Sequence, residues 1–210
     1  MGRSSEGQRI VDAQIRSSAR DRSEGEALAR AAAELGADNA LTLTRAAHAI
    51  SVLGDDVDGG AVLAERALKL NPLLDDAWYV SGWTMLWAGK PKLAGQRLLQ
   101  ARQLSAHGHL IFKIDAASAY ALFFAGRYDD AANAAMSALR TRPNYLTAFR
   151  IAAASDVLAG RTEQGRRLVA KMRAGDPKLR MSGLSGLMPF RRREDFDRWA
   201  DALQVAGLPD

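Results

Sequence analysis

The phrase Ala-Gly followed by a basic residue occurs three times in this chain, at residues 88–90, 125–127 and 159–161. The second and third copies lie 34 residues apart, and the first precedes the second by 37 residues. A period of this length is typical of proteins that stack one structural unit on the next, because a single unit cannot bury its apolar face alone. The phrase therefore predicts an array of repeats.

Aligning the three phrases divides residues 41–177 into four units, 41–74, 75–111, 112–145 and 146–177. Each unit is predicted to be a helix, a tight turn and a second helix, since glycine ends the first helix in a left-handed cap and proline cannot continue the second. Small residues recur where the two helices must approach closely. They occupy the eighth position in three of the four units (His48, Gly82, Ala119, Ala153) and the twentieth position in all four (Gly60, Ala94, Ala131, Gly165). Proline occupies the thirty-second position in three of the four (Pro72, Ala106, Pro143, Pro177).

The composition favours helix throughout and excludes several kinds of chemistry. Alanine is abundant and only six residues are proline, so the fold class is predicted to be all-α, without a sheet. Cysteine is absent, which excludes disulfides, thiolate nucleophiles and Cys-ligated metal centres and favours the cytoplasm. The first ten residues lack an apolar signal region, and the most apolar stretch, 77–88, is too short to span a bilayer. No membrane partner is expected.

The repeat resembles the tetratricopeptide repeat, whose pattern has an aromatic at position 4, Gly at 8, Ala at 20 and 27, and Pro at 32. The unit at 75–111 carries Trp78, Gly82, Ala94 and Ala101 at these positions, and the last unit carries Phe149. The tyrosine usual at position 11 is missing from every unit. The resemblance implies an α-solenoid, a right-handed superhelix of helix-turn-helix units. Residues 121–130, 150–155 and 189–210 also resemble the repeat segments that end alphaproteobacterial adenylate cyclases and winged-helix transcription regulators, which implies a regulatory or assembly role.

The two ends depart from the repeat. Residues 1–40 fit a degenerate or truncated N-terminal repeat, with a weak helix at 10–19 and a convincing one at 24–35, and this end is the candidate surface for a homo-oligomer. Residues 178–210 are predicted to form a capping segment, with a helix from about Arg193 to Val205 whose apolar side includes Trp199. A terminal helix that covers the open end of a solenoid keeps it soluble.

Enzymatic chemistry is not predicted. Phosphate-binding loops, nucleophile elbows and zinc-binding helix motifs are all absent from the sequence. The acidic pairs 55–56, 75–76 and 129–130 each sit near a helix start, where carboxylates cap free amides. His107 and His109 are expected in a solvated loop, and His48 is expected in the core with one nitrogen hydrogen-bonded. We therefore predict no catalytic residue, no metal and no cofactor.

The inner face of the solenoid is the predicted binding site, because in this repeat family it is lined by positions 2, 5, 9, 12 and 13 of each first helix. Tyr79, Trp83 and Trp87 follow one another at i, i+4 and i+8 on one stripe. Aromatic and arginine side chains dominate interface energies, so these positions predict a groove for a protein or peptide. The predicted groove residues are Arg45, Tyr79, Trp83, Trp87, Lys113, Tyr120, Phe123 and Arg150, with Leu86 and Phe124 beside them.

The sequence allows three alternatives to a general peptide groove to be considered. The groove positions hold no asparagine, which disfavours the lysine–asparagine clamp that some family members use for acidic carboxyl ends. A small-ligand sensor that regulates an effector domain remains open as a second class. Residues 161–198 contain eleven Lys or Arg against five Asp or Glu, so a polyanion surface is the third. Nucleic acid is disfavoured because no aromatic stacking pattern is interleaved there.

Overall fold

The computed structural model describes residues 3–105, 108, 110–184 and 186–210, with side chains from residue 19 onward. His107, His109 and Ala106, singled out above, lie outside the described residues. The helices are α1 (Arg3–Leu35), α2 (Ala40–Leu53), α3 (Val57–Leu70), α4 (Asp75–Trp87), α5 (Pro91–Leu104), α6 (Ile111–Phe124), α7 (Tyr128–Thr141), α8 (Leu146–Leu158), α9 (Thr162–Gly175) and α10 (Arg193–Val205), with a short 3₁₀ turn at Met181–Gly183. No strand occurs in these ranges, as the composition predicts.

Helices α2 to α9 form four consecutive pairs, each joined by a three-residue turn. Gly89, Gly126 and Gly160 occupy the predicted turns with φ of 74°, 78° and 80°, the left-handed region that glycine adopts without steric cost. The residue after each glycine donates its amide to a carbonyl five residues earlier, as Arg127 does to Leu122 at 2.9 Å. The predicted left-handed caps are thus confirmed.

The first pair turns differently. Gly54 follows α2 in the right-handed helical conformation. The left-handed conformation, which glycine adopts in the other three turns, is adopted here by Asp55 with φ of 54°. Gly60 then approaches the first helix so closely that a Cβ there would lie 2.7 Å from the carbonyl oxygen of Ala47. Ala47, which is fully buried, therefore takes the small packing position that the repeat frame assigns to His48.

Helix α1 is one continuous helix of 33 residues, so the predicted break between a helix at 10–19 and another at 24–35 is wrong. The reason is local: this stretch has neither the Ala-Gly-basic phrase nor a proline, and Gly25 alone does not end a helix. Its C-terminal part packs against α2, burying Ala29 and Ala33, while Leu28 and Leu35 are exposed.

One acidic pair caps a helix as predicted, whereas the other two lie in first turns and make no side-chain cap hydrogen bond. The side chain of Asp56 accepts a hydrogen bond from the Gly59 amide at 2.8 Å at the start of α3. Asp75 and Asp76 lie in the first turn of α4, and Asp129 and Asp130 lie in that of α7. These carboxylates face the positive ends of helix dipoles, where they stabilise the helices and need no catalytic role.

The C-terminal helix α10 closes the last repeat and also reaches inward. It packs mainly against α8, the first helix of the fourth pair, and Trp199 on it is fully buried. The segment before it, 187–191, runs back across the inner face of the solenoid toward α4 and α3. One end of the groove is therefore filled by the chain itself.

Candidate functional site

The segment 187–191 is held on the inner face by backbone, aromatic and ionic contacts. The amide of Arg191 donates to the carbonyl of Trp87 at 3.0 Å, and its guanidinium pairs with Asp58 of α3. The Phe190 ring centroid lies 5.2 Å from that of Phe124 and 6.1 Å from that of Trp199. These contacts cover the part of the concave face formed by the C-terminal halves of α4 and α6.

Four aromatic residues predicted to line the groove are buried. Trp83 and Trp87 are 4% and 3% exposed, and Tyr120 and Phe123 are fully buried. Trp83 stacks on Trp87 with centroids 5.4 Å apart and lies 5.4 Å from Tyr120, which in turn lies 5.9 Å from Trp199. The expectation that these rings offer surface to a partner is wrong: Trp83, Trp87 and Tyr120 form a row of rings that ends on Trp199 of the C-terminal helix, and the Phe123 ring packs against Tyr128 of α7.

The part of the concave face that remains open is a pocket of about 540 Å³ formed by the N-terminal halves of α2, α4 and α6. The predicted groove residues Arg45, Tyr79 and Lys113 line it, and Arg45 is exposed while the other two are half-buried. The lining residues are Leu41, Thr44, Arg45, His48, Ala49, Asp76, Tyr79, Val80, Lys113 and Tyr145. The structure thus gathers three of the eight predicted residues in one accessible site.

His48 belongs to this pocket and not to the core, so its prediction as a core histidine is wrong. Because Ala47 takes the packing position, the His48 side chain turns to the concave face and keeps accessible area there, with its ring 5.8 Å from the Trp87 ring. The walls of the pocket still remove much of its water. This burial, together with the positive charge of Lys113, lowers the pKa of His48 below its ordinary value of 6.5.

Tyr145 was missed by sequence reasoning because it lies in the linker before α8, outside the positions that the repeat frame assigns to the groove. It lines the pocket together with Tyr79, and its ring centroid lies 5.1 Å from that of Phe112. Burial raises the pKa of Tyr79, and Tyr145 adds to the rise. Burial likewise raises the pKa of Tyr120, against the opposing positive charge of Arg150. The phenols of Tyr79 and Tyr120 are therefore protonated at neutral pH.

Arg150, the eighth predicted groove residue, is 9% exposed. It lies on α8 at the fifth position of its unit, the position that Tyr79 holds on α4. It is not among the residues that line the pocket. Arg150 is therefore not an exposed anchor of the open site.

A second cavity, of about 620 Å³, lies between α5 and α6 away from the pocket just described. Its lining is mainly apolar and includes Leu98, Leu99 and Leu122, with Leu99 58% exposed. Lys92, Arg102 and Arg127 stand among its lining residues, and the two arginines are paired with Asp115 and Asp130. This cavity provides a natural control surface for binding experiments.

The basic C-terminal region is less cationic than its composition suggests. Five of its eleven basic side chains form ion pairs: Arg161, Arg166, Arg191, Arg192 and Arg193. Arg161 pairs with both Asp129 and the buried Asp156. The paired carboxylates offset part of the positive potential of this region, which weakens the basis of the polyanion alternative.

Among the described residues, no group of three or more His, Asp or Glu side chains is placed to hold a metal ion. None of the helices in the same ranges combines the length and apolar character that a membrane crossing requires.

The fold is that of a tetratricopeptide-repeat (TPR) α-solenoid. Similar solved structures include PilW, a type IV pilus biogenesis factor, with 15% identity and a TM-score of 0.68 over 98% of this chain and 90% of that chain. YrrB, a TPR protein with an unusual peptide-binding site, has 15% identity and a TM-score of 0.55 over 85% of this chain and 90% of that chain. MamA from Desulfovibrio magneticus RS-1 has 17% identity and a TM-score of 0.59 over 84% of this chain and 98% of that chain. At these identities the likeness concerns the fold alone.

No protein-family model matches the chain, and no curated protein matches it either. The resemblance to the repeat segments of adenylate cyclases and winged-helix regulators accordingly stays a prediction.

Proposed function

We propose that this protein is a non-enzymatic scaffold that binds a peptide segment of a partner protein in the open part of its concave face. The observation that carries the proposal is the pocket of about 540 Å³ between α2, α4 and α6. Its size falls within the range of ligand-binding clefts, about 300–1,000 Å³. The closed half of the groove confines the peptide to this pocket.

The lining suits a short peptide segment with mixed chemistry. Leu41 and Val80 offer apolar surface, Tyr79 and Tyr145 offer rings with a polar tip, and Lys113 offers a charge. Tyrosine and charged side chains set in an apolar surround are the groups that commonly anchor protein interfaces. YrrB, a TPR protein of similar fold, has a peptide-binding site, so a peptide ligand is compatible with this fold.

A peptide selected from a random library against the full chain provides the test, with affinity measured by fluorescence anisotropy. We expect Arg45→Ala and Lys113→Ala to weaken binding about fivefold or more, since each removes a charged contact. Lys69→Ala is the matched control, because Lys69 is exposed on α3 and lies outside the pocket. It should bind as the parent does.

The same affinity measurement distinguishes the pocket from the cavity between α5 and α6 as the peptide-binding site. Leu99→Gln changes the cavity between α5 and α6 without touching the pocket, and we expect no effect on peptide affinity. Loss of binding in Leu99→Gln with full binding in Lys113→Ala would place the ligand on the other surface and overturn the proposed site.

A further inference from the structure

The cavity of about 620 Å³ between α5 and α6 shares no lining residue with the pocket of the proposed function. Its lining is apolar along most of its length: Leu98 and Ala121 are buried, Leu122 is half-buried, and Leu99 is 58% exposed. The volume lies within the range of ligand-binding clefts, about 300–1,000 Å³. An apolar concavity that is open to water is therefore a candidate site for a second ligand.

Gly95 is part of the lining and leaves the cavity open. It lies in the interior of α5, where glycine is unfavourable relative to alanine. Gly82 on α4 is explained by packing, because a Cβ there would lie 2.7 Å from the Leu98 side chain. A Cβ on Gly95 would meet no atom within 4 Å in the described part of the chain. Helix packing therefore does not require Gly95, and a larger side chain at this position would occupy the cavity.

The charged residues of the lining are all basic: Lys92, Arg102 and Arg127. Lys92, in the first turn of α5, and Arg127, which follows α6, lie at one end because these consecutive helices are antiparallel. Arg102 lies toward the other end and pairs with Asp115, and Arg127 pairs with Asp130 at 2.7 Å. Among the described residues, no carboxylate lies within salt-bridge distance of Lys92, and the first turn of α5 contains no acidic residue. One end of the cavity thus offers a single unpaired positive charge.

A hydrocarbon chain suits this lining better than a peptide does. An extended peptide would bring backbone amides and carbonyls that need hydrogen-bond partners out of water, and Gln96 and Ser118 are the only uncharged polar side chains of the lining. A helix is about 10 Å across, so over the roughly 15 Å from Lys92 to Arg102 it would occupy about 1,200 Å³, more than the cavity holds. An acyl chain is narrow and has no polar groups along its length.

We infer that the cavity between α5 and α6 binds a fatty acid, with its acyl chain over Leu98, Leu99 and Leu122 and its carboxylate beside Lys92. A carboxylate carries one negative charge at neutral pH, which matches one unpaired lysine, whereas a phosphate monoester carries nearly two. Burial of methylene groups supplies the affinity, and the lysine selects the charged head group. The inference goes beyond the proposed function and does not depend on it.

Titration of the full chain with decanoate, kept below its micelle concentration, tests the inference. The readouts are calorimetric affinity and the NMR resonances of leucine methyl groups. We expect the methyl resonances of Leu98, Leu99 and Leu122 to shift. Decanol, which has the same chain without the charge, is the neutral reference, and acetate, which has the charge without the chain, should not shift these resonances.

Three variants sharpen the result. Lys92→Gln should weaken decanoate binding about threefold and leave decanol binding unchanged, because it removes an exposed charge that only the carboxylate contacts. Lys69→Gln removes an exposed lysine of α3 outside the cavity and should leave both affinities unchanged. Gly95→Leu fills the cavity and should weaken both ligands about tenfold or more. Its melting temperature should equal or exceed that of the parent, since leucine favours helix more than glycine does.

The inference is overturned if decanoate does not shift the leucine methyl resonances, if Gly95→Leu binds decanoate as tightly as the parent, or if Lys92→Gln affects decanoate and decanol equally. Any of these results leaves the proposed function in place, because the peptide is measured at a pocket with other lining residues. Shifts of the same methyl resonances by the selected peptide and not by decanoate would assign the cavity to a protein partner. That result would overturn both this inference and the proposed peptide site.

Discussion

Truncation of Trp199 to alanine is the sharpest test of how the C-terminal segment joins the repeats. Trp199 is fully buried, and its ring lies 5.9 Å from Tyr120, 6.1 Å from Phe190 and 6.1 Å from Phe196. Replacing a buried Trp by Ala typically costs about 3–5 kcal/mol. The indole Nε1 has no hydrogen-bond partner among the described residues, so its removal strands no acceptor. We therefore expect a loss in the lower part of that range, about 3–4 kcal/mol.

For a chain of this length, each kcal/mol shifts the melting temperature by about 2–4 °C, which predicts a fall of about 6–16 °C for Trp199→Ala. Because contacts in a solenoid run between neighbours, the loss should be concentrated at the C-terminal end. Hydrogen exchange should accelerate in α10 and in residues 187–191 well before it accelerates in α2 and α3.

Val205→Ala is the control on the same helix, since Val205 is 52% exposed. A surface change of this kind is expected to alter stability by no more than about 0.5 kcal/mol. If Trp199→Ala behaves like Val205→Ala, with a cost below about 1 kcal/mol and no faster exchange in α10, then the C-terminal segment does not cover the concave face and the reasoning is refuted.

Two further predictions concern a turn and a titration. Gly126→Ala should destabilise the chain by about 1–2 kcal/mol, because φ is 78° at this residue. Gly175→Ala should be neutral or stabilising, because Gly175 lies in the last turn of α9 with open space around it. Urea denaturation measures both variants, and equal effects would contradict the left-handed cap. The pKa of His48 is lower in the folded chain than in the unfolded chain. Below pH 6.5 the unfolded chain therefore binds more protons than the folded chain, and protonation of His48 favours unfolding. The stability associated with neutral His48 is thus present above pH 6.5 and is lost as the pH falls below it. Stability curves from pH 8 to pH 5 should therefore show a steeper acid loss for the parent than for His48→Gln; parallel curves would show that Lys113 and the pocket walls do not perturb this histidine.

The repeats could be predicted from the sequence because their signals are local. Gly126 and Gly160 fix the turns through backbone conformation alone, and Asp56 caps a helix through an atom three residues away. His48 was misplaced because the frame assumed identical turns, whereas the turn with Gly54 and Asp55 brings Ala47 into the packing position. A shift of one residue on a helix turns a side chain by about 100°, enough to move it from core to groove.

The closed half of the groove was beyond sequence reasoning for a different reason. Trp83 and Tyr120 occupy groove positions in the repeat frame, but the frame does not specify where a terminal segment docks. The contact between Arg191 and Trp87 spans more than a hundred residues of sequence, and only the folded chain reveals it. Tyr145 was missed because it lies in a linker, at a position to which the repeat frame assigns no role in the groove.

Hydrogen–deuterium exchange of the full chain, with and without a peptide selected from a random library, tests the central claim most directly. If the open pocket is the binding site, protection should appear in the N-terminal halves of α2, α4 and α6 and around Tyr145, and Lys113→Ala should reduce it at a peptide concentration near the Kd of the parent. Protection confined to α5 and α7, or displacement of residues 187–191 with protection of Trp83 and Tyr120, would show that the ligand binds elsewhere and would contradict the account.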